Sequence, residues 1–295
     1  MGTDDAMKFT IFLVFVVTCA STSGSSPIQG GINTWRPFYL IAHMANSIEA
    51  MDRFLRDGAN SLEVDIAFGD NGVPLRLYHG TPCDKLRDCE ESTPLVDFLQ
   101  AATIRPLSLI FFDLKCMHLD DGALGVAGVG LANKLIENFW SNGSRANILL
   151  SIPTVQQRAL FMSFVNHVHK VAPSKLGKVT YDVAYLSVSL DDIAKMYDEL
   201  KISAAWQGVG DTNWVEPFQD LSDLKNAIEL RDKGNHTFKK VHRWTVDPED
   251  RIRQLLNMSL DGVMTNRVAR AARILREYKL RLATPEDNIN YRFPA

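Results

Sequence analysis

The sequence predicts an α/β fold and, within that class, a single (β/α)8 TIM barrel. Apolar strand-like runs alternate with amphipathic helical stretches between residues 38 and 278, as expected when crossover helices join parallel strands. Some runs, such as residues 107–112, are apolar at almost every position, which is typical of a parallel strand buried on both faces. One barrel uses about 250 residues, so the chain length also fits.

The predicted elements alternate in order along the chain. Strands are predicted at residues 38–43, 61–68, 74–79, 107–114, 147–152, 178–185, 203–208, 240–246 and 262–265. Helices are predicted between most of them, at residues 48–56, 129–140, 155–171, 190–200, 221–233, 248–258 and 268–278. A doubly wound open sheet is the alternative, and the absence of a glycine-rich phosphate loop after the first strand argues against it.

The N-terminal residues 1–24 are predicted to be a secretory signal peptide, which leaves residues 25–295 for the barrel domain. Lys8 precedes an apolar run at residues 9–17, and small residues follow it. That run is shorter than the roughly 20 residues of a transmembrane helix. We therefore expect a secreted, extracellular protein that is monomeric and has no transmembrane segment. The net charge of −3 gives no reason to expect nucleic acid as a partner.

Cysteine positions are consistent with an oxidising compartment. Cys19 belongs to the predicted signal peptide, which leaves Cys83, Cys89 and Cys116. We expect Cys83 and Cys89 to form a disulfide across a short loop. So short a loop contributes only about 2 kcal/mol, and we expect its main effect to be local stiffening. Cys116 is expected to be a buried thiol or, as the weaker alternative, an intermolecular link.

Three acidic residues, Glu63, Asp65 and Asp113, are candidates for a metal site. Glu63 and Asp65 are two residues apart in one strand and therefore share a face. Asp113 follows an apolar run, where an unpaired carboxylate would be costly. Three carboxylates at one mouth would repel each other unless a cation neutralises them, and oxygen ligands favour Mg²⁺ over zinc. Alternatively, Asp113 pairs with Lys115 and no metal binds.

Two histidines, His43 and His79, are candidates for acid/base or nucleophilic catalysis. Each follows an apolar strand-like run, and we expect both at the carboxyl ends of strands, beside the acidic residues. Imidazole suits these roles because it titrates near neutral pH. The remaining histidines are expected to be structural, with His242 a partial exception because it is near Trp244: His118, His167, His169, His236 and His242.

Four further residues at strand ends are candidates for substrate binding. Lys115 should share the face of Asp113, where its ammonium could hold a phosphate oxygen. Asn266 could donate to the same group, and Asp247 also falls near a strand end. Trp244 could face a quaternary ammonium group, although a tryptophan in a barrel strand is more often a core residue. The whole set predicts chemistry on a phosphoester.

These motifs resemble those of the sphingomyelinase D-like phospholipases D, the dermonecrotic toxin family of spider and tick venoms or saliva. That family is related to the glycerophosphodiester phosphodiesterases. The similar segments run in family order over nearly all of the mature chain, at residues 42–44, 58–65, 78–84, 113–115, 244–247, 261–266 and 281–284.

The resemblance implies a TIM barrel with a Mg²⁺ ion and a catalytic pair of histidines. It implies substrates of the choline- or ethanolamine-type sphingolipid or lysolipid class at a membrane surface. The headgroup leaves, and the lipid's own hydroxyl can form a cyclic phosphate. The implied ligands are Glu63, Asp65 and Asp113, the implied catalytic residues His43 and His79, the supporting residues Lys115, Trp244, Asp247 and Asn266, and the disulfide Cys83–Cys89.

Some features depart from the family pattern. Residues 241–243 lack the aromatics that relatives carry before Trp244, the tail at 283–290 lacks the Pro-Trp ending, and a second loop disulfide has no partner cysteine. We expect the tail to plug the bottom of the barrel. The alternatives are a glycerophosphodiester phosphodiesterase acting on soluble diesters, disfavoured by Met44 after His43, and a catalytically inactive secreted binding protein.

Overall fold

Eight parallel strands form a barrel within residues 35–81, 88–184 and 188–292, the part of the chain that the computed structural model describes. The predicted signal peptide lies outside these residues. The strands are β1 (Tyr39–Ala42), β2 (Ser61–Phe68), β3 (Pro74–Tyr78), β4 (Ser92–Pro94), β5 (Leu109–Lys115), β6 (Asn147–Ile152), β7 (Val179–Val183), β8 (Ala205–Gly210), β9 (Phe238–Trp244) and β10 (Gly262–Thr265). All except β3 and β4 belong to the barrel.

Helices cover the outside of the barrel. They are α1 (Ile48–Arg56), α2 (Leu95–Thr103), α3 (Asp121–Leu135), α4 (Arg158–Val171), α5 (Leu190–Glu199), α6 (Ser222–Asp232), α7 (Glu249–Leu256) and α8 (Val268–Glu277). None of these helices, in the described part of the chain, is long and apolar enough to cross a bilayer.

The strands follow the order β7–β6–β5–β2–β1–β10–β9–β8, and neighbours in this order pair in parallel. Side chains join the two terminal strands. Asp182 of β7 accepts from the backbone N–H of Gly208 at 2.6 Å, and Gln207 of β8 donates to the carbonyl of Val183 at 3.3 Å. The predicted α/β class and TIM barrel are confirmed.

The strand predicted at residues 74–79 is not a barrel strand, which corrects the expectation that His79 lies at the carboxyl end of a strand parallel to the others. β3 pairs antiparallel with the upper end of β2, with Leu77 opposite Ile66. The reversal occurs at Gly72, whose φ of +82° few other residues adopt. The sequence signal was the preceding Asn71, because Asn-Gly is a strong hairpin turn.

Helix boundaries differ from the prediction mainly in α3. This helix begins at Asp121 rather than residue 129, because Asp120 caps it by accepting from the N–H of Ala123 at 2.8 Å. Small residues through its first half obscure the helical periodicity. A π-helical turn, Ile136–Trp140, continues it to the predicted end. The short helix α2 was not predicted.

The sheet separates two apolar cores. Outward-facing strand residues, such as Leu62 and Val64 of β2, pack against the helices. Residues that alternate with them point into the barrel, and the interior is filled by Tyr39, Ile41, Leu109, Phe111, Leu149, Trp206 and Met264. The same alternation directs Glu63 and Asp65 inward, so the strand pattern that builds the outer core also aims both carboxylates at the barrel axis.

The C-terminal tail closes the bottom of the barrel, as expected. Ala283 and Ile289 belong to the interior apolar cluster. The carbonyl of Ile289 accepts from the indole of Trp206 at 2.9 Å, and the carbonyl of Ala283 accepts from Asn60 at 2.9 Å. The tail therefore supplies both apolar volume and hydrogen-bond acceptors to the barrel floor.

A buried cationic group surrounds one carboxylate at this floor. Asp261 accepts from Arg36 at 2.6 Å and from Arg231 at 2.7 Å. Lys240 lies 4.0 Å from the same carboxylate and donates to the carbonyl of Tyr291 at 3.0 Å. Burial, assisted by the two arginines, lowers the pKa of Lys240 to about 8 despite the attraction of Asp261.

Replacing Ile289 with alanine should lower the free energy of unfolding by about 2–4 kcal/mol, because the side chain is fully buried in the barrel interior. Urea denaturation measures the effect. Ile104→Ala is the matched control: Ile104 is 83% exposed, and its loss should cost less than about 0.5 kcal/mol. Equal losses of stability for the two variants would contradict the role of the tail in filling the barrel floor.

Lys240→Met should flatten the rise of stability in alkaline solution. The pKa of Lys240 is about 8 in the folded chain against an ordinary 10.5, so between these values the unfolded chain binds more protons. The free energy of unfolding must therefore rise with pH across that interval, by on the order of 3 kcal/mol in total. Urea titrations at several pH values within it should give the parent the steeper rise. Parallel profiles would show that Lys240 titrates normally.

Candidate active site

The predicted site residues meet at the carboxyl ends of the barrel strands. His43 follows β1, Glu63 and Asp65 lie in β2, and Asp113 lies in β5. Asp65 and Asp113 are direct partners in the parallel pairing of β2 with β5. Neighbouring parallel strands therefore place these two carboxylates side by side at one mouth.

Three carboxylates form a candidate metal centre. One oxygen from each of Glu63, Asp65 and Asp113 lies within 4.8 Å of the others. Glu63 and Asp65 are almost completely buried, whereas the side chain of Asp113 is 29% exposed. The group is thus a deep acidic pair with a third carboxylate nearer the solvent.

Glu63 is held by the segment that follows β1. One of its oxygens accepts from the backbone N–H of Met44 at 2.6 Å, and Nε2 of His43 lies 3.8 Å from the same atom. Met44 has a φ of +54°, and its N–H donates to this buried acid. Burial, and then the neighbouring charge of Asp65, raise the pKa of Glu63 to about 8.

Asp65 is held by a neutral amide and by a cationic side chain. Asn46 donates from its amide to Asp65 Oδ2 at 2.6 Å and accepts from the backbone N–H of Asp65 at 2.9 Å. Lys115 lies 2.8 Å from Asp65 Oδ1. Burial alone would raise the pKa of Asp65, but Lys115, His79 and the Asn46 hydrogen bond outweigh it, and the pKa lies below its ordinary value.

Lys115 bridges the two strands. Its ammonium lies 2.8 Å from Asp65 and donates to Asp113 at 2.6 Å. Burial would lower the pKa of Lys115, but the two carboxylates raise it above the ordinary value. The Asp113–Lys115 pair considered as an alternative to a metal site is therefore present together with the three-carboxylate cluster.

The donor set fits a hard divalent cation. All three candidate ligands are carboxylates, the chemistry that Mg²⁺ and Ca²⁺ prefer. Oε1 of Glu63 is buried and has no hydrogen-bond partner among the described residues, which leaves a ligand atom available. One lysine cannot balance three carboxylates, so the cluster keeps an excess of negative charge when all are ionised.

His43 is oriented by an amide and a carboxylate. Nδ1 of His43 lies 3.1 Å from Oδ1 of Asn266. The amide of Asn266 donates to Oδ2 of Asp247 at 3.2 Å, which fixes its oxygen toward the histidine. Nδ1 must therefore carry a proton, and Nε2 is the nitrogen on the side of Glu63.

Asp247 positions Asn266. Its Oδ1 accepts from the backbone N–H of Asn266 at 2.8 Å and from the hydroxyl of Thr265 at 3.0 Å. Its Oδ2 accepts a further bond from Asn213 at 3.0 Å. Asp247 thus ties β10 and the loop after β8 to the histidine.

His79 reaches the acids on the hairpin rather than on the barrel. Its Nδ1 donates to the carbonyl of Gly80 at 2.8 Å, and the N–H of Gly80 donates to the carbonyl of Cys89 at 3.2 Å. Cys89 is disulfide-bonded. Its predicted partner, Cys83, lies outside the described residues. Cys116 is buried and free, which confirms the expected buried thiol.

Trp244 lies near the barrel mouth, and His242 lies deeper in the barrel interior. Trp244 is half-buried at the end of β9 and packs on top of the interior apolar cluster, so it can form a wall of the mouth. His242 is fully buried one layer below, with Nε2 at 3.6 Å from Asp182 and its ring edge-on to Phe111.

Two residues of the site were not predicted. Asn46 lies in the segment that follows β1, and its place near the carboxyl end of a barrel strand could have suggested a role. Asn213 lies in an irregular loop after β8, where neither spacing nor composition indicates contact with Asp247. Both act by holding another side chain, which strand periodicity does not reveal.

Comparison with known sequences identifies the family. A profile of the dermonecrotic toxin SPH family matches residues 33–289. The chain belongs to this family. It is 37% identical over 269 residues to a dermonecrotic toxin of Loxosceles spinulosa, covering 85% of this chain and 97% of the relative. It is also 36% identical over 260 residues to a dermonecrotic toxin SPH of Ixodes scapularis, covering 82% and 71%.

Membership confirms the resemblance seen in the sequence, that to the sphingomyelinase D-like phospholipases D, a family of phosphodiesterase-type enzymes. Solved structures agree in fold. A putative glycerophosphoryl diester phosphodiesterase of Silicibacter pomeroyi gives a TM-score of 0.58 at 14% identity, covering 84% of this chain and 96% of that one. A glycerophosphodiester phosphodiesterase of Parabacteroides distasonis gives 0.57 at 16%, covering 82% and 98%.

Asn46→Ala should weaken binding of a divalent cation by at least about tenfold, because it removes the side chain that orients Asp65. Calorimetric titration with Mg²⁺ or Mn²⁺ measures the affinity. Ser47→Ala is the control: Ser47 caps α1 by accepting from the N–H of Ala50, so its loss should cost about 1 kcal/mol of stability and leave affinity unchanged. Equal affinities for Asn46→Ala and the parent would contradict the role of Asn46.

Proposed function

We propose that this protein is a secreted, Mg²⁺-dependent phospholipase D-type phosphodiesterase. Its substrates would be sphingomyelin-like lipids and lysophospholipids, and its reaction the release of the headgroup. The observation that carries the proposal is that His43 and His79, each held through Nδ1, flank one acidic cluster at one barrel mouth. Similarity to dermonecrotic toxins over most of the chain supports the same conclusion.

The acidic cluster would bind the cation and the phosphate together. Glu63, Asp65 and Asp113 would hold Mg²⁺, which when bound would neutralise the negative charge of a phosphodiester. Lys115, already fixed between Asp65 and Asp113, would hold a non-bridging oxygen of the same phosphate. Such preorganised charge favours the transition state, in which negative charge on the phosphate oxygens grows.

Each histidine would accept a proton from the substrate, or donate one to it, through its own Nε2. One imidazole would activate the attacking hydroxyl, or bond transiently to phosphorus, while the other protonates the departing headgroup alcohol. Asp247 and Asn266 would keep His43 in the tautomer with Nδ1 protonated, so that its lone pair is on Nε2. The carbonyl of Gly80 would serve His79 in the same way.

The attacking group would be the lipid's own hydroxyl, and the product a cyclic phosphate. Attack forms an oxygen–phosphorus bond within the lipid, and the bond from phosphorus to the headgroup oxygen breaks. The proton lost by the hydroxyl is balanced by the proton gained by the headgroup alcohol. An intramolecular nucleophile reacts at a high effective concentration, so a site walled by buried carboxylates and Trp244 need not admit water.

Secretion is the second part of the proposal. The charged, apolar and small-residue order of residues 8–24 supports a cleaved signal peptide, and the bonded state of Cys89 fits an oxidising compartment. We propose that Cys89 pairs with Cys83 and that the mature protein acts as a monomer on a lipid surface.

Phosphorus NMR of the mature protein with sphingomyelin or lysophosphatidylcholine tests the reaction. In the presence of Mg²⁺, the expected product is a cyclic phosphate, which should not form when a chelator removes the metal. His43→Ala and His79→Ala should each reduce the rate by at least about a thousandfold, since each removes a proton-transfer group. His169→Ala, an exposed histidine on α4, should have no effect.

Other outcomes identify the alternatives. Faster turnover of glycerophosphocholine than of either lipid would indicate a soluble-diester phosphodiesterase. A linear monoester as the first product would mean that water attacks. Absence of turnover on any of these diesters by a correctly folded, Mg²⁺-loaded protein would leave an inactive binding protein and refute the proposal.

A further inference from the structure

We propose that Trp214 and Phe218 form a rim anchor, a pair of aromatic side chains that insert into the surface of a phospholipid bilayer and seat the barrel mouth on it. The inference rests on the proposed function, because the substrate of the same site would reside in this bilayer.

The rim anchor is exposed although both side chains are large and apolar. Trp214 is 59% exposed and Phe218 is 87% exposed. They are four residues apart in the loop that joins β8 to α6, residues 211–221, at the carboxyl ends of the barrel strands. Two large apolar side chains on one loop of the rim leave apolar area that a partner can cover.

The loop that carries the rim anchor is fixed to the barrel. Between the two aromatics, the fully buried Glu216 accepts from Arg243 at 2.8 Å and from Arg251 at 3.0 Å. Gln219 donates to Asp211 at 2.8 Å across the base of the loop. A buried carboxylate with two guanidinium partners holds this backbone in place, so the exposure of the aromatics is imposed by the fold.

The rim anchor is continuous with the active site. Asn213, the residue before Trp214, donates to Asp247 at 3.0 Å. Asp247 holds Asn266, and Asn266 holds His43. Hydrogen bonds therefore link the loop bearing Trp214 to the histidine that would act on the phosphate. A lipid surface that contacts the rim anchor would therefore also lie against the barrel mouth.

A further exposed apolar residue lies elsewhere on the same rim. Met117 is 69% exposed and follows β5, the strand that carries Asp113 and Lys115. Around the barrel, β6 and β7 separate β5 from β8. Apolar side chains thus stand at two separate points of the rim, as expected if the whole mouth faces one surface.

The chemistry of the rim anchor favours a lipid surface. Tryptophan prefers the boundary between water and hydrocarbon because its ring is apolar and its N–H is polar, and phenylalanine adds apolar area to bury below the headgroups. The phosphate that the site would attack lies at this depth. A soluble diester would need no such anchor, whereas a lipid held in a bilayer requires the enzyme to reach its surface.

Vesicle binding tests the anchor separately from catalysis. The full mature chain carrying His43→Ala, so that lipid is not consumed, is sedimented with sucrose-loaded vesicles of sphingomyelin, phosphatidylcholine and cholesterol. Adding Trp214→Ala and Phe218→Ala together should weaken partitioning by at least about tenfold, since two apolar side chains that would be buried are lost. The matched control, Trp35→Ala with Ile104→Ala, removes residues that are 82% and 83% exposed at the opposite end of the barrel and should bind like the parent.

Turnover provides the second measurement. With His43 restored, Trp214→Ala/Phe218→Ala should lose activity on vesicular sphingomyelin in proportion to its binding, while activity on a short-chain lysolipid below its micelle concentration stays within about twofold. Equal losses on both substrates would assign the loop to catalysis and overturn the anchor. Unfolding temperatures establish that each variant is folded.

Three results of the vesicle experiment would also overturn the inference. They are unchanged vesicle partitioning of Trp214→Ala/Phe218→Ala, equal loss in the control pair, and failure of the parent to bind vesicles. A dimer in sedimentation velocity that this variant abolishes, with vesicle binding intact, would assign the surface to a second copy of the chain instead. Vesicle binding through the anchor without turnover of any diester would refute the proposed function and leave the anchor standing.

Discussion

The burial of two carboxylates at one end of the barrel is the constraint on which the site depends. Leaving Glu63 and Asp65 inside without partners would be costly. Interactions with the backbone N–H of Met44, the amide of Asn46 and the ammonium of Lys115 offset that cost. Two of these partners come from the segment directly after β1, so the same bonds that stabilise the acids fix the position of His43.

The site also separates the two acids electrostatically. Burial and the neighbouring charge raise the pKa of Glu63 to about 8, whereas Lys115 and His79 help to hold the pKa of Asp65 below its ordinary value. Two adjacent carboxylates in one strand thus differ in protonation because their partners differ. Binding a divalent cation would draw Glu63 into the ionised state and remove that difference.

Residue patterns predicted the barrel and the convergence of its acids, because period-two alternation fixes which side chains face the axis and parallel strands end at one mouth. They wrongly assigned β3 to the barrel, because the hairpin turn at Asn71 and Gly72 reverses the chain. They also missed Asn46 and Asn213, whose roles arise from contacts made only after folding. The depth of His242 likewise depends on packing against Phe111 and Asp182, which no local pattern contains.

The placement of His79 on a hairpin divides the proposed catalytic pair between the barrel and a unit appended to it. His43 follows the barrel strand β1, whereas His79 follows β3, which pairs only with the upper end of β2 and with the three-residue strand β4. Such an appended unit can open while the barrel stays intact. The proposed mechanism needs both imidazoles, so local opening of the hairpin would remove one of them from the site without unfolding the barrel.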